Sequence, residues 1–257
     1  MGTAAQVDSD LGRRARQFHR FYRLITALAI PNAVVSYLRL RVRSPAGFHW
    51  LLTGGYSPWK VVYAVAAARL ARRVQRATGG RPSPAVVWPK TIPSSCVIAF
   101  FHSAWDLVIA REVASRQYCL VRAGSDWAED LGRQHVAWNA AGLRSLVRRV
   151  ATGGRCAAAM DNFVDDAAGG LFGTRAGPNR GAARLAAATG APLVPVWFVY
   201  ERGVLRIDVG PPIAASTCAC RQNEALHSAR EFFENAVRRD PAGWPRIVSF
   251  LQVNPWT

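Results

Sequence analysis

Val97-Ile98-Ala99-Phe100-Phe101-His102-Ser103-Ala104-Trp105-Asp106 decides the fold class. Its first five residues are uniformly apolar, the pattern of a strand buried on both faces. The run then delivers a His and an Asp. In open α/β sheets, sites lie beyond the C-terminal ends of strands, so His102 is placed at such an edge. Further runs of the same kind follow, separated by helical segments. Strands are expected at Tyr118–Arg122, 155–160, 192–200 and Val204–Val209. Helices are expected at 104–116, Ala140–Ala151, 179–189 and 221–239. This alternation predicts an α/β fold, a central mixed sheet flanked by helices.

Working outward, residues 79–95 are rich in Gly, Pro and Ser and read as a linker. They separate an N-terminal basic helical region, 1–78, from a catalytic core, 96–257. The charge distribution sharpens that division. The formal net charge is +17, yet residues 11–105 contain no Asp or Glu and carry fifteen Arg or Lys. Such one-sided charge predicts a polyanionic partner. Arg13, Arg14, Arg16, Arg20 and Arg23 alternate with Leu11, Phe18, Phe21, Tyr22, Leu24 and Ile25. A basic helix of this kind lies in the headgroup plane with its apolar face down. A second amphipathic helix, 61–76, is expected to do the same. The apolar run 24–38 is broken by Pro31 and Asn32 and is too short to span a bilayer. The first residues carry no basic and then apolar leader pattern. The expected partner is an anionic membrane surface, not nucleic acid, since no zinc-finger or RNA-binding signature accompanies the charge. The five cysteines lack metal-site spacing, and a reducing cytosol is expected.

Asp106 lies four residues after His102. If a helix starts there, the two share one face, and the carboxylate holds one ring N–H while the other nitrogen acts as general base. No Gly-x-Ser-x-Gly elbow, phosphate loop or His-Glu-x-x-His occurs, so neither a serine nucleophile, nor nucleotide, nor zinc is indicated. No metal or cofactor is expected. Arg122, Arg175 and Arg180 are candidate anion-binding residues for a phosphate group on donor or acceptor.

Further motifs extend the pattern. Asp161 follows a strand, then come Leu171-Phe172-Gly173, Gly181-x-Ala183-x-Leu185-Ala186, Thr189-Gly190-Ala191-Pro192-x-Val194-Pro195-Val196, Gly210-Pro211-Pro212 and Asp240-Pro241-x-x-Trp244. With Phe101-His102, these strings make residues 90–250 resemble the glycerophosphate and lysophospholipid acyltransferase superfamily. Within it the resemblance is greatest to the bacterial lipid A late acyltransferases (lauroyl and myristoyl) and the phosphatidylinositol mannoside acyltransferases. The resemblance implies transfer of a fatty acyl chain from acyl-CoA or an acidic acyl-carrier protein to a hydroxyl of a lipid or glycolipid. It implies His102 as base, oriented by Asp106, in a cytoplasmic protein peripherally associated with the inner face of the bacterial cell membrane. The family has four residues between its His and acid, and here only three intervene. Asp161, Asp165 and Asp166 are therefore the alternative acids. The three-residue spacing also occurs in condensation-type acyltransferases, which continue with Gly where this chain has Leu107. A non-catalytic membrane-binding protein on the same fold, or an enzyme acylating a natural product, are the alternative readings.

Overall fold

The computed structural model describes residues 4–78, 83–89, 91–103, 105, 108–109, 118–122, 135–137, 139–162, 164–165 and 170–253. Four helices come first: α1 (Ala4–Leu28), α2 (Ile30–Arg43), α3 (Pro45–Thr53) and α4 (Pro58–Ala77). Proline stands in the first turn of α2, α3 and α4, where its missing N–H costs nothing. Pro31 also explains why α1 does not run on into α2: the two axes bend by 57°.

The core alternates strands with helices. Its elements are β1 (Ala85–Val87), β2 (Cys96–Phe100), β3 (Tyr118–Arg122), β4 (His135–Ala137), α5 (Ala140–Ala151), β5 (Arg155–Ala159), β6 (Val164–Asp165), β7 (Ala176–Gly177), α6 (Gly181–Thr189), β8 (Leu193–Glu201), β9 (Val204–Val209), α7 (Ala219–Arg239) and α8 (Ile247–Val253). Seven strands form one sheet in the order β1-β9-β8-β2-β5-β3-β4, and β6 and β7 form a small antiparallel pair. Only β8 and β9 are antiparallel within the large sheet, so it is mixed, as expected. The segment 79–95 is more than a linker, because β1 pairs in parallel with β9 and closes that edge.

Strand alternation sorts the apolar side chains onto two faces. Val97, Ala99 and Phe101 join a cluster with Cys156, Ala158, Leu193 and Trp197, beneath α4, α5, α6, α7 and α8. Ile98, Ala157, Val194, Val196 and Phe198 face the other way and meet Phe18 and Ile25 of α1. The N-terminal helices thus share the core of the sheet. Phe18 and Ile25 are buried in protein, and so are Val61, Val62 and Val65 of α4, so these residues are not a membrane face. A tight aromatic group of Phe18, Tyr22, Trp105 and Tyr200 fastens α1 to the sheet, with centroids of Tyr22–Tyr200 and Trp105–Tyr200 both 4.8 Å apart.

Cys96 and Cys156 are buried thiols, and burial, only partly opposed by Arg155, pushes Cys96 up to about 11.

One glycine controls the fit of α1. Arg202 and Gly203 both have positive φ, 47° and 90°, and make the two-residue turn between β8 and β9. A Cβ on Gly203 would lie 1.9 Å from the Ala15 carbonyl oxygen on α1. Gly203→Ala is therefore expected to destabilise the protein by about 2 kcal/mol or more, from left-handed strain plus the clash. Arg202→Gly relieves the same type of φ without a clash and should not destabilise. Thermal unfolding of both variants checks this, and equal melting of Gly203→Ala and the wild type would contradict it.

Candidate active site

The parallel pairing of β2 and β5 matches Phe100 with Ala159. Two residues further along each strand come His102 and Asp161. Register therefore brings them side by side at the C-terminal edge, although they are far apart in sequence. The His102 Nδ1 lies 2.5 Å from Asp161 Oδ1, and the His102 backbone N–H donates to Oδ2 at 3.1 Å. The Asp161 side chain is fully buried, while that of His102 is 25% exposed. One ring edge is thus fixed by a carboxylate hidden from water, on a residue that reaches the surface.

The chain's C-terminal part completes the carboxylate's shell. Trp244 follows a 3₁₀ turn, Pro241–Gly243, which Asp240 caps by accepting the Gly243 N–H at 3.1 Å. Its indole Nε1–H donates to Asp161 Oδ2 at 3.0 Å. Arg246 donates to the Asp161 carbonyl oxygen at 2.9 Å and to Asn162 Oδ1 at 3.0 Å, and its Nε stands 3.7 Å from Asp161 Oδ2. Burial alone would push the Asp161 carboxyl up. The His102 hydrogen bond and charge, the Arg246 charge and the Trp244 hydrogen bond outweigh it and hold the carboxyl below its ordinary value.

These contacts give His102 a partner in Asp161. Nδ1 is held by Asp161, the alternative acid, from the neighbouring strand. Asp106 lies outside the described residues, as do Asp166 and most of the helix expected at 104–116. Asp165 is in β6, with its side chain not described. Arg122 ends β3, whose pairing with β5 puts its backbone level with the same sheet edge; its side chain too is outside the described set. Arg175 and Arg180 are exposed, one beside β7 and the other just ahead of α6. Ser103 is buried, and its hydroxyl accepts the Trp105 N–H at 3.2 Å, which shapes the loop after β2.

No protein-family model and no curated protein matches the chain.

A small apolar void of about 10 Å³, room for about one water, lies in the core behind Phe100, lined by Ile92, Ile98, Ile109, Val196 and Phe198 among others. The Phe100 ring is both a wall of this cavity and a neighbour of the His102 ring, at 6.1 Å between centroids. Among the described residues, no group of three or more His, Cys, Asp or Glu side chains could hold a metal ion. Sequence reasoning missed Trp244 and Arg246 as partners of Asp161. The Asp-Pro-x-x-Trp string pointed to the first, but nothing local pointed to the second.

Proposed function

We propose that this protein is an O-acyltransferase that moves a fatty acyl chain from a thioester, acyl-CoA or acyl-carrier protein, to a hydroxyl of a lipid or glycolipid. The observation that carries the reading is the His102 Nδ1 contact with a buried carboxylate at a strand edge. A carboxylate on Nδ1 fixes the tautomer with its proton there, so Nε2 is the basic nitrogen. His102 Nε2 takes the proton of the acceptor hydroxyl as that oxygen attacks the thioester carbonyl. The tetrahedral intermediate collapses, the C–S bond breaks, and the proton passes from His102 to the departing thiolate. Atoms balance with no enzyme nucleophile, in keeping with a buried Ser103. Arg122, Arg175 and Arg180 are proposed to hold anionic groups of donor or headgroup. The resemblance of residues 90–250 to the lysophospholipid acyltransferase superfamily supports the same chemistry.

Among the described residues no single helix is long and apolar enough to cross a membrane. We place the enzyme peripherally at the inner face of the bacterial cell membrane.

Thiol release from a panel of acyl-CoA and acyl-carrier donors, with and without lipid acceptors, tests the reading. Release that needs both an acceptor and His102 is expected. Release without acceptor would reassign the site to thioester hydrolysis. Equal release by wild type and by protein lacking the His102 imidazole would remove the site from the reaction.

A further inference from the structure

The outer side of the α1–α2 elbow carries an apolar stripe that the fold leaves uncovered. Leu28 is 59% exposed, Leu38 53% and Val42 76%, and Leu24, Ile30 and Val35 are exposed beside them. Ala33 and Leu40 point α2 inward and are fully buried. At about 100° per residue, Val35, Leu38 and Val42 fall on the opposite side of the helix. Single exposed apolar residues are ordinary in folded proteins, but a contiguous run of them marks an interaction surface. Arg39, Arg41 and Arg43 flank this stripe on α2, and Arg20 and Arg23 flank Leu24 on α1, all exposed. The nearest acid in sequence, Asp10, is already paired with Arg13 at 2.6 Å.

We infer that this elbow is a docking surface for an anionic lipid bilayer, with the stripe entering the acyl boundary and the arginines on the phosphates. Charge complementarity selects the occupant: apolar side chains between cations, in a stretch 11–43 that contains no Asp or Glu, match the cross-section of an anionic leaflet. By length and composition the two helices together could make a bent span, and it is their packing on the protein that lays the elbow along the surface. Its inner side, Phe18, Ile25, Ala33 and Leu40, stays packed on the protein, and the helices bend by 57°. The face keeps Leu24, Arg20 and Arg23 of the one expected and leaves out the buried Phe18 and Ile25 and helix α4. It stands on surface chemistry alone, so binding does not require His102 to be catalytic.

Cosedimentation of the full chain with vesicles of phosphatidylcholine, alone or mixed with phosphatidylglycerol, tests it without any turnover. Strong binding only to the mixed vesicles, weakened by salt, is expected. Each arginine near an anionic surface contributes about fivefold in affinity, so combined Arg39→Gln, Arg41→Gln and Arg43→Gln should weaken binding on the order of a hundredfold. Combined Val35→Ser, Leu38→Ser and Val42→Ser should weaken it at least about tenfold. All six positions are exposed, so folding is preserved. Combined Arg144→Gln and Arg148→Gln on α5 should bind as wild type. Failure of the wild type to pellet, or equal loss in the α5 control, would overturn the inference. So would a dimer that the serine variants dissociate, without vesicle binding, since the occupant would then be a second copy.

Discussion

Replacing His102 with Asn is expected to lower acyl transfer by about 10²- to 10⁴-fold while leaving a folded protein, because general-base catalysis contributes in that range. Asn is the informative choice. Its amide nitrogen falls near the place of Nδ1 and can still donate to Asp161, so the buried carboxylate keeps a partner. What Asn lacks is any atom corresponding to the basic Nε2. Ala would confound the result, since it leaves Asp161 Oδ1 buried without the 2.5 Å donor it has in the wild type. The loss should appear in the turnover number, with donor binding little changed, because the base acts on the acceptor hydroxyl only as the bond forms. Single-turnover kinetics with saturating donor reads this directly. A variant that turns over normally would show that another group takes the proton.

The alternation of strands and helices was legible because β2, β3, β5 and β8 each carry a short apolar run, and β9 alternates apolar residues with Arg206 and Asp208. The boundaries of β3, α5 and β9 coincide with those expected, and the motif glycines have local causes. Gly190 ends α6 in the left-handed conformation, φ 71°, which a Thr-Gly-Ala-Pro string before a strand announces. The Leu-Phe-Gly string is a turn with φ of 55° at Phe172 and 76° at Gly173, held by Glu234, which accepts the Phe172 N–H at 2.8 Å. Gly210 is pressed on Phe232, where a Cβ would come within 2.7 Å of the ring. These conspicuous motifs therefore build the scaffold around the site. The site's own geometry was less legible. That Asp161 meets His102 depends on which strands become neighbours and in what register, a property of the whole sheet. A carboxylate four residues away looks better to a local argument than one fifty-nine residues away.

The N-terminal helices show a different limit. Amphipathicity predicts one apolar face, and α1 and α2 have two. Phe18, Ile25, Ala33 and Leu40 face the protein, while Leu24, Leu28, Leu38 and Val42 face outward. Composition registers the excess of apolar residues, but only the packed structure tells which of them the core has already used. The same holds for α4, whose arginines suggested a surface helix. Its Val61, Val62 and Val65 join the core, Ala66 and Ala67 pack against Ala29 and Ala33, and Arg69 is drawn into a contact with the Pro245 carbonyl at 2.7 Å.

Asp161 is the residue whose loss should damage both stability and activity, and the two effects can be separated. Asp161→Ala would strip the acceptor from the His102 N–H, His102 Nδ1 and Trp244 Nε1 and leave Arg246 without its nearby charge. Breaking a buried charged cluster by removing one member costs about 3–5 kcal/mol, a fall in melting temperature of about 10 °C for a chain of this length. Asp161→Asn keeps the volume and one acceptor, so it should be the more stable of the two. It presents an N–H where the carboxylate had an oxygen, however, and can turn the imidazole to the wrong tautomer. Nε2 would then carry the proton, and transfer should fall by about 10²- to 10⁴-fold, as for His102→Asn. The pH dependence supplies an independent check. The Asp161 carboxyl is held below its ordinary value of 3.8, so its contribution to stability is complete above that pH. It is lost as pH falls below 3.8 through the folded-state value. Asn has nothing to titrate. The stability gap between wild type and Asp161→Asn, measured by denaturant unfolding, should therefore close as pH falls below 3.8. A gap that persists unchanged to the lowest pH at which the protein folds would mean that Asp161 stabilises by packing alone, and that the His102 ring is oriented by something other than its charge.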